Sequence, residues 1–366
     1  MFSHNGKISV RQVEIFLILQ MLNTAILFLP KIAGRYVGRN GYILPILAII
    51  PGIIYIYCID ALTRQFPKET LVEFAPKIVP SFIAYIILIL FAIKIAITTG
   101  LEVRMLGEMV SEVLLPKTPL QVIILVMLFT VAYLVKSGIE ATGRMAEVLI
   151  YFVAIPLILV FVLIVPHAEY KQLMPFFQTN LRGIGLGTFV VSLAFSPIEF
   201  MLMMSGLMQK PKKAKRTMLV AVITIGVVEA IIVLLTYTGV GFNEVQRQVW
   251  PVLTLMQSIS LSSSIIENQE ILMMTGWILS IFMYISAGIY FTSLIGSRSL
   301  KYQRENVFIL PLVPVIYFIA MIPENLVAAY DYYNRFQLYF GIWFLLPIPL
   351  ILALIAKGKR RSLDAK

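Results

Sequence analysis

Ser192-Leu-Ala-Phe-Ser-Pro-Ile-Glu199 sets a Ser-Pro pair and a carboxylate in the middle of an otherwise apolar run extending from 184 to 208. An α-helix crosses a bilayer with about 20 mostly apolar residues, and this run has that length. Proline removes a backbone donor and clashes with the preceding turn. Backbone left unsatisfied in hydrocarbon is costly, so such an interruption persists where it lines a cavity within protein. A second stretch shares the feature: Gln20-Met-Leu-Asn-Thr-Ala-Ile-Leu-Phe-Leu-Pro30 carries Asn23 and Thr24 near the middle of the run 10–33, with Pro30 and Gly34 after them.

The rest of the chain is of the same character. Of its 366 residues 59% are hydrophobic and 13% charged, and the mean hydropathy is +0.89. Soluble domains average about 45–50% apolar and ~25% charged residues, and an excess of this size needs lipid as its solvent. That excludes a soluble enzyme, a nucleic-acid-binding domain and a disordered chain. The one cysteine, Cys58, excludes a disulfide scaffold. Ten apolar stretches read as membrane spans: 10–33, 41–63, 80–110, 120–136, 145–165, 184–208, 217–240, 272–296, 307–323 and 336–356. They are continuously apolar, without the alternation of a membrane β-barrel. The first carries no small-residue cleavage site and reads as a retained helix. The expected fold is therefore an all-α polytopic membrane protein of a single domain, 1–366. It divides into a first repeat of about 10–165 and a second of about 184–356, with a basic tail at 357–366. Two halves of five helices, each opening on an interrupted helix, form the pattern of an inverted-repeat transporter core with helices one and six broken. Pro156 and Pro347 read as simple kinks.

Charge sets the orientation. The terminal segments and the loops on their side hold 20 Lys/Arg, the opposite loops 8, which places both termini in the cytoplasm. The densest clusters, Lys210 to Arg216 and Lys357 to Arg361, fit orientation and attraction to anionic lipid heads, so the net charge of +11 needs no nucleic acid. Ionisable residues inside spans are costly and must pair or face water. Arg104 and Glu108, at i,i+4, read as an internal ion pair. Glu102, near Thr98 and Thr99, reads as facing a polar cavity. Lys94 is a candidate cavity residue, Glu199 lies in span six and Glu229 in span seven. No Cys/His/Asp cluster has metal spacing, and no phosphate-binding, dinucleotide or nucleophile motif is present. Gly183-Ile-Gly-Leu-Gly187 reads as a hinge at a helix start. Neither a catalytic residue nor a metal or cofactor is expected.

Several segments together resemble the B-subunit family of endospore germination receptors, a branch of the amino acid/polyamine/organocation transporter superfamily. They are Leu27-Phe-Leu-Pro30, Glu102-Val-Arg-Met-Leu-Gly-Glu108, Lys117-Thr-Pro-Leu-Gln-Val-Ile-Ile124, Phe195-Ser-Pro-Ile-Glu199, Val249-Trp-Pro251 and Ile265-Ile-Glu267. The resemblance covers the whole chain. It implies a small-molecule site between helices one, three, six and eight, and a receptor complex with an A-type membrane subunit and a C-type lipoprotein in the spore inner membrane. The chain departs from the family pattern at Asn23-Thr24-Ala25, where a Gly-x-Gly-like stretch is frequent, at Ser196-Pro197-Ile198, where a glycine is common, and at Asn268, where many members have Arg.

The expected ligand site gathers Asn23, Thr24 and Ala25 from helix one and Ser196, Pro197, Ile198 and Glu199 from helix six. Thr98 and Glu102 form a third wall and Tyr284 a fourth. Freed amides there can bind a carboxylate, and Glu side chains an ammonium. The leading expectation is a subunit that senses a small nutrient such as an amino acid and triggers germination with its partners. The alternative is an ion-coupled amino acid/polyamine permease. The segment from Trp250-Pro251 to Glu270, with Ser260 to Ser264, reads as a lid over the cavity.

Overall fold

The computed structural model describes residues 6–175, 179–258 and 269–364, without the side chains of 24–27, 167, 258, 269–270, 272 and 360–364. The described residues form helices and no strand. In chain order the α-helices are α1 (Val10–Val37), α2 (Leu44–Thr63), α3 (Leu71–Ile78), α4 (Ser81–Met109), α5 (Leu120–Lys136), α6 (Gly138–Ile164), α7 (Leu181–Ser192) and α8 (Met201–Leu207). They continue with α9 (Ala214–Val240), α10 (Phe242–Arg247), α11 (Pro251–Ser258), α12 (Gln269–Ser299), α13 (Ile309–Met321), α14 (Leu326–Phe336), α15 (Ile342–Leu345) and α16 (Pro347–Asp364). Helix is the form that satisfies every backbone group within its own segment, as hydrocarbon requires.

Seven helical stretches are long and apolar enough to cross a membrane, and Leu120–Lys136 and Ile309–Met321 are shorter apolar helices. The chain is thus a polytopic integral membrane protein. The ten-span count read from hydropathy separates α1 from α2, which the helical stretch Phe28–Thr63 runs together. Large apolar side chains such as Ile54, Phe82, Phe129, Ile155 and Phe318 point outward on the lipid-facing surface. Enclosure varies strongly between helices: 83% of the apolar window of α12 is buried, against 22% for α6. The centre of the bundle is therefore α12, with α4, α6 and α1 packed against it. Gly288 of α12 permits the close approach to α4, where a methyl group would overlap Thr99. Gly52 of α2 does the same for Phe195, whose ring would lie 2.9 Å from a Cβ.

One face of the bundle gathers the described residues nearest the two ends and the loop that begins the Lys210–Arg216 cluster. There Ile8 pairs with Met208 in an isolated bridge, Arg298 joins Glu73 at 2.5 Å and Glu305 at 2.6 Å, and Lys359 reaches the Lys77 carbonyl at 3.4 Å. This is the basic face. Residues Lys31, Arg35 and Gln248 lie at the far face, where the Lys31 ammonium donates to the Gln248 carbonyl at 2.8 Å.

Two expectations need correction. The first span is not broken: α1 runs as one helix through Asn23 and Pro30. A single proline removes a single N–H, which frees one carbonyl, that of Ile26, and leaves the rest of the i→i−4 ladder in place. Neighbouring helices also tie α1 down on either side: Trp277 Nε1 donates to the Asn23 carbonyl at 3.1 Å and the Tyr237 hydroxyl to the Pro30 carbonyl at 2.7 Å. The last span begins earlier than 336. It starts at Leu326, capped by Asn325 Oδ1 accepting from Ala328 N at 2.9 Å. A π-turn at Gln337–Gly341 follows before the chain reaches α15 and α16. Tyr330, Asp331, Asn334 and Arg335 make this first part too polar to read as a span. The sixth span does change form: between α7 and α8, Leu193–Phe200 is a 3₁₀ helix around Ser196-Pro197.

Candidate functional site

Four short patterns converge in the middle of the bundle. On α4, Lys94, Thr98 and Glu102 recur at i, i+4 and i+8 and form one inward stripe. On α14 and its π-turn, Tyr330, Tyr333, Asn334 and Gln337 recur at i, i+3, i+4 and i+7, the spacing of one helical face. The 3₁₀ turn of the sixth span places Ser196 and Glu199 three residues apart, and with three residues per turn they stack on the same side. From α1 comes Asn23.

At the level of Asn23 and Glu102 lies a cavity of about 50 Å³, walled also by Trp277, Tyr330, Tyr333 and Gln337. Asn23 Nδ2 donates to Glu102 Oε2 at 2.9 Å. Both residues are buried, yet Asn23 Oδ1 and Glu102 Oε1 have no hydrogen-bond partner among the described residues. A buried polar atom in that state carries its full desolvation cost until something pairs with it. Toward the far face the cavity meets an open recess of about 710 Å³ that shares Phe28, Ile32, Val190, Tyr330 and Asn334 with it. The Phe28 and Tyr330 rings, stacked with centroids 4.0 Å apart, stand between the two. Lys31 and Arg35 line the recess, as does Asp331, which is paired with Arg335 at 2.9 Å. The approach from the far face is thus cationic, and the chamber behind the stack holds the carboxylate.

Toward the basic face the polar contacts continue. Gln337 Nε2 donates to Ser196 Oγ at 2.8 Å and to the Tyr333 hydroxyl at 3.3 Å. Beyond Ser196, the Lys94 ammonium donates to Glu199 Oε1 in an ion pair whose side chains are 0% and 2% exposed. Further still, Phe91 and Phe344 stack at 4.8 Å, with Phe340 beside them at 6.0 Å from Phe344.

Of the residues expected from sequence, Asn23 and Glu102 line the cavity. Ser196 reaches its wall through Gln337. Thr98 is buried one turn from Glu102, and its hydroxyl donates to the carbonyls of Lys94 at 3.1 Å and Ile95 at 3.0 Å. Tyr284 is buried with its ring edge-to-face to Phe200 at 6.0 Å, and its hydroxyl meets those of Thr98 and Tyr333, so it backs the cavity wall without lining it. Pro197 and Ile198 are buried in the 3₁₀ turn, away from the cavity wall. Glu199 faces Lys94. The backbone of Thr24 and Ala25 lies within α1, and their side chains are outside the described residues, as are Ile265-Ile-Glu267 and Asn268. The expected pairing of Arg104 with Glu108 is present at 2.7 Å, and Arg104 also donates to the Glu324 carbonyl at 2.9 Å. Of the expected lid, Pro251–Ser258 forms α11 with Val252, Leu255 and Met256 buried, while 259–268 lie outside the described residues. Sequence reading missed Trp277, Tyr330, Tyr333, Asn334 and Gln337. The last four carried a readable signal, their shared helical face, hidden because the span was started too late.

The sequence family described as spore germination protein matches this chain over residues 7–328. The chain is 26% identical to spore germination protein YndE of Bacillus subtilis (strain 168) over 99% of both chains. It is 26% identical to spore germination protein A2 of the same strain over 93% of each. With spore germination protein GerLB of Bacillus cereus it shares 22% identity, covering 90% of this chain and 89% of the other. A match from Lys7 to Ala328 takes in both proline-bearing stretches, the Lys94–Glu102 stripe and α12, and so the chain belongs to the spore germination protein family.

Proposed function

We propose that this protein is the transporter-like B subunit of a spore germinant receptor, binding a small amine-bearing nutrient such as an amino acid in its mid-membrane cavity. The observation that carries the reading is the free Glu102 Oε1 beside the free Asn23 Oδ1 in the cavity wall. A primary ammonium has three donors and would satisfy both oxygens while neutralising the buried carboxylate. The cationic recess supports the same ligand class, because Lys31 and Arg35 attract a carboxylate to the mouth. At about 50 Å³ the chamber has room for a few water molecules. Admitting a nutrient therefore requires the Phe28–Tyr330 stack and the surrounding helices to move, and sensing needs no more than a ligand that favours the expanded state over the closed one.

In this reading the basic face is cytoplasmic, the recess opens to the outer side of the spore inner membrane, and the signal passes to an A-type membrane subunit and a C-type lipoprotein. The halves 10–165 and 184–356 are inverted repeats in the same proposal. Its support is that the leading spans of the two halves, α1 and the stretch from α7 to α8, pack side by side.

The test is the germination dose-response of spores carrying Glu102→Gln or Asn23→Leu to a panel of L-amino acids, with protein abundance measured alongside. Glu102→Gln removes the charge and keeps the shape, so the half-maximal concentration should rise by about a hundredfold, the worth of a charge-assisted hydrogen bond of ~3 kcal/mol. Unchanged responses in both variants at normal abundance would place the nutrient elsewhere.

A further inference from the structure

We propose that Lys94 and Glu199 form a charge latch that holds the 3₁₀ turn of the sixth span in register and keeps the cavity closed toward the basic face. The proposal rests on the cavity reading above and adds the element that converts occupancy into movement.

The pair has no part in lining the cavity, and its burial is essentially complete. Taking two charges out of water is expensive, and apolar side chains of similar volume usually hold helices together as well or better. An ion pair kept in such a place is better suited to fixing one arrangement among several than to raising stability. The arrangement it fixes is identifiable. A 3₁₀ run longer than three or four residues is uncommon and marks a strained or hinging segment, and this one has eight. With three residues per turn, Ser196 and Glu199 lie one above the other on a single side. Ser196 is held by Gln337, which lines the cavity, and Glu199 by Lys94.

Lys94 in turn stands on α4, the same unbroken helix that carries Glu102 into the cavity eight residues later. At 1.5 Å per residue the two are about 12 Å apart along the axis. The cavity therefore touches both partners of the latch: through Gln337 and Ser196 it reaches Glu199, and through α4 it reaches Lys94. A ligand that pulls on Glu102 while displacing Gln337 shears the pair. Glu199 Oε2 has no partner among the described residues, so Lys94 is the sole side chain described as holding that carboxylate. On the basic-face side the stacked Phe91, Phe340 and Phe344 rings and the buried α8 follow. Separating Lys94 from Glu199 opens the chamber in that direction.

The experiment needs no nutrient. In a Cys58→Ala, Ala194→Cys background the new thiol lies in the cavity wall, and a membrane-impermeant maleimide is applied to the basic-face side of membrane vesicles. Lys94→Met with Glu199→Leu removes both charges and leaves neither buried alone, so the double variant should accumulate normally and label about tenfold faster than the parent. The swap of Lys94→Glu with Glu199→Lys restores an ion pair and should return labelling to the parental rate. Glu199→Gln, nearly isosteric, should give an intermediate rate and covers the event that the double variant fails to accumulate. Parental labelling in the double variant or in Glu199→Gln, or a swap that labels as fast as the double variant, would overturn the latch. Failure of the nutrient-binding reading would leave this labelling pattern intact, so the two are separable.

Discussion

Pro30 and Pro197 impose the same chemical change on two central helices and give different structures. Each deletes one backbone donor within a buried span. Around Pro30 the helix continues, with the Asn23 and Pro30 carbonyls accepting from Trp277 and Tyr237. Around Pro197 the helix tightens to 3₁₀ for eight residues, and the flanking Ser192 and Met201 adopt ψ values of −18° and −19°. The difference lies in what the neighbours offer. Near Pro30 one carbonyl, that of Ile26, loses its donor, and the α-ladder continues past it while Trp277 and Tyr237 bond the Asn23 and Pro30 carbonyls from other helices. Near Pro197 the surrounding side chains hold side chains instead: Gln337 holds Ser196, Lys94 holds Glu199, and the Tyr55 hydroxyl bonds Ser192 Oγ at 2.9 Å. They fix a register that the α-helix would not give. Proline permits a break, and the partners around it decide whether the break is used.

The comparison can be broken first at Pro197. Pro197→Ala returns the missing N–H and lets the turn relax to α-helix, where each residue advances about 100° in place of 120°. Ser196 and Glu199 would then diverge by about 60°, and at least one of their two bonds would be lost. The amino-acid dose-response should shift by at least about tenfold at normal protein abundance. The matched Pro30→Ala restores a link the helix already tolerates, and should shift it less than about threefold. Equal effects from the two substitutions would refute the distinction drawn here. Between these extremes falls Trp277→Phe, which removes the donor to the Asn23 carbonyl and shrinks a cavity wall. A lost buried hydrogen bond and a small void together cost about 2 kcal/mol. The expected outcome is a lower unfolding temperature in detergent together with a weakened nutrient response, whereas an unchanged unfolding temperature would show that α1 does not rely on that bond.

How much of this was legible in the sequence depended on the kind of signal. Hydropathy alone fixed the membrane class and most spans, because a long apolar run has one physical solution. The Arg104–Glu108 pair was legible because i,i+4 spacing on a helix determines contact locally. Lys94 and Glu199 were each visible as costly intramembrane charges, but their pairing joins residues 105 positions apart, and no local rule relates α4 to the sixth span. The break expected at Asn23–Pro30 is absent because one missing N–H frees one carbonyl, too little to end a helix whose backbone Trp277 and Tyr237 also bond from other helices. Tyr330 to Gln337 were lost to a boundary error, since polar residues that face a cavity lower the hydropathy of a span as surely as residues that face water.

Binding of a primary amine in the chamber at Asn23 and Glu102 is the step on which the proposed function depends. It is tested most directly by measuring the thermal stabilisation of the purified protein by L-amino acids and by the same compounds N-acetylated, in the parent chain and in Glu102→Gln. Any L-amino acid that stabilises the parent should lose that effect when its amine is acetylated, and should lose it equally in Glu102→Gln. Stabilisation that survives acetylation, or that persists at full size in Glu102→Gln, would contradict the claim.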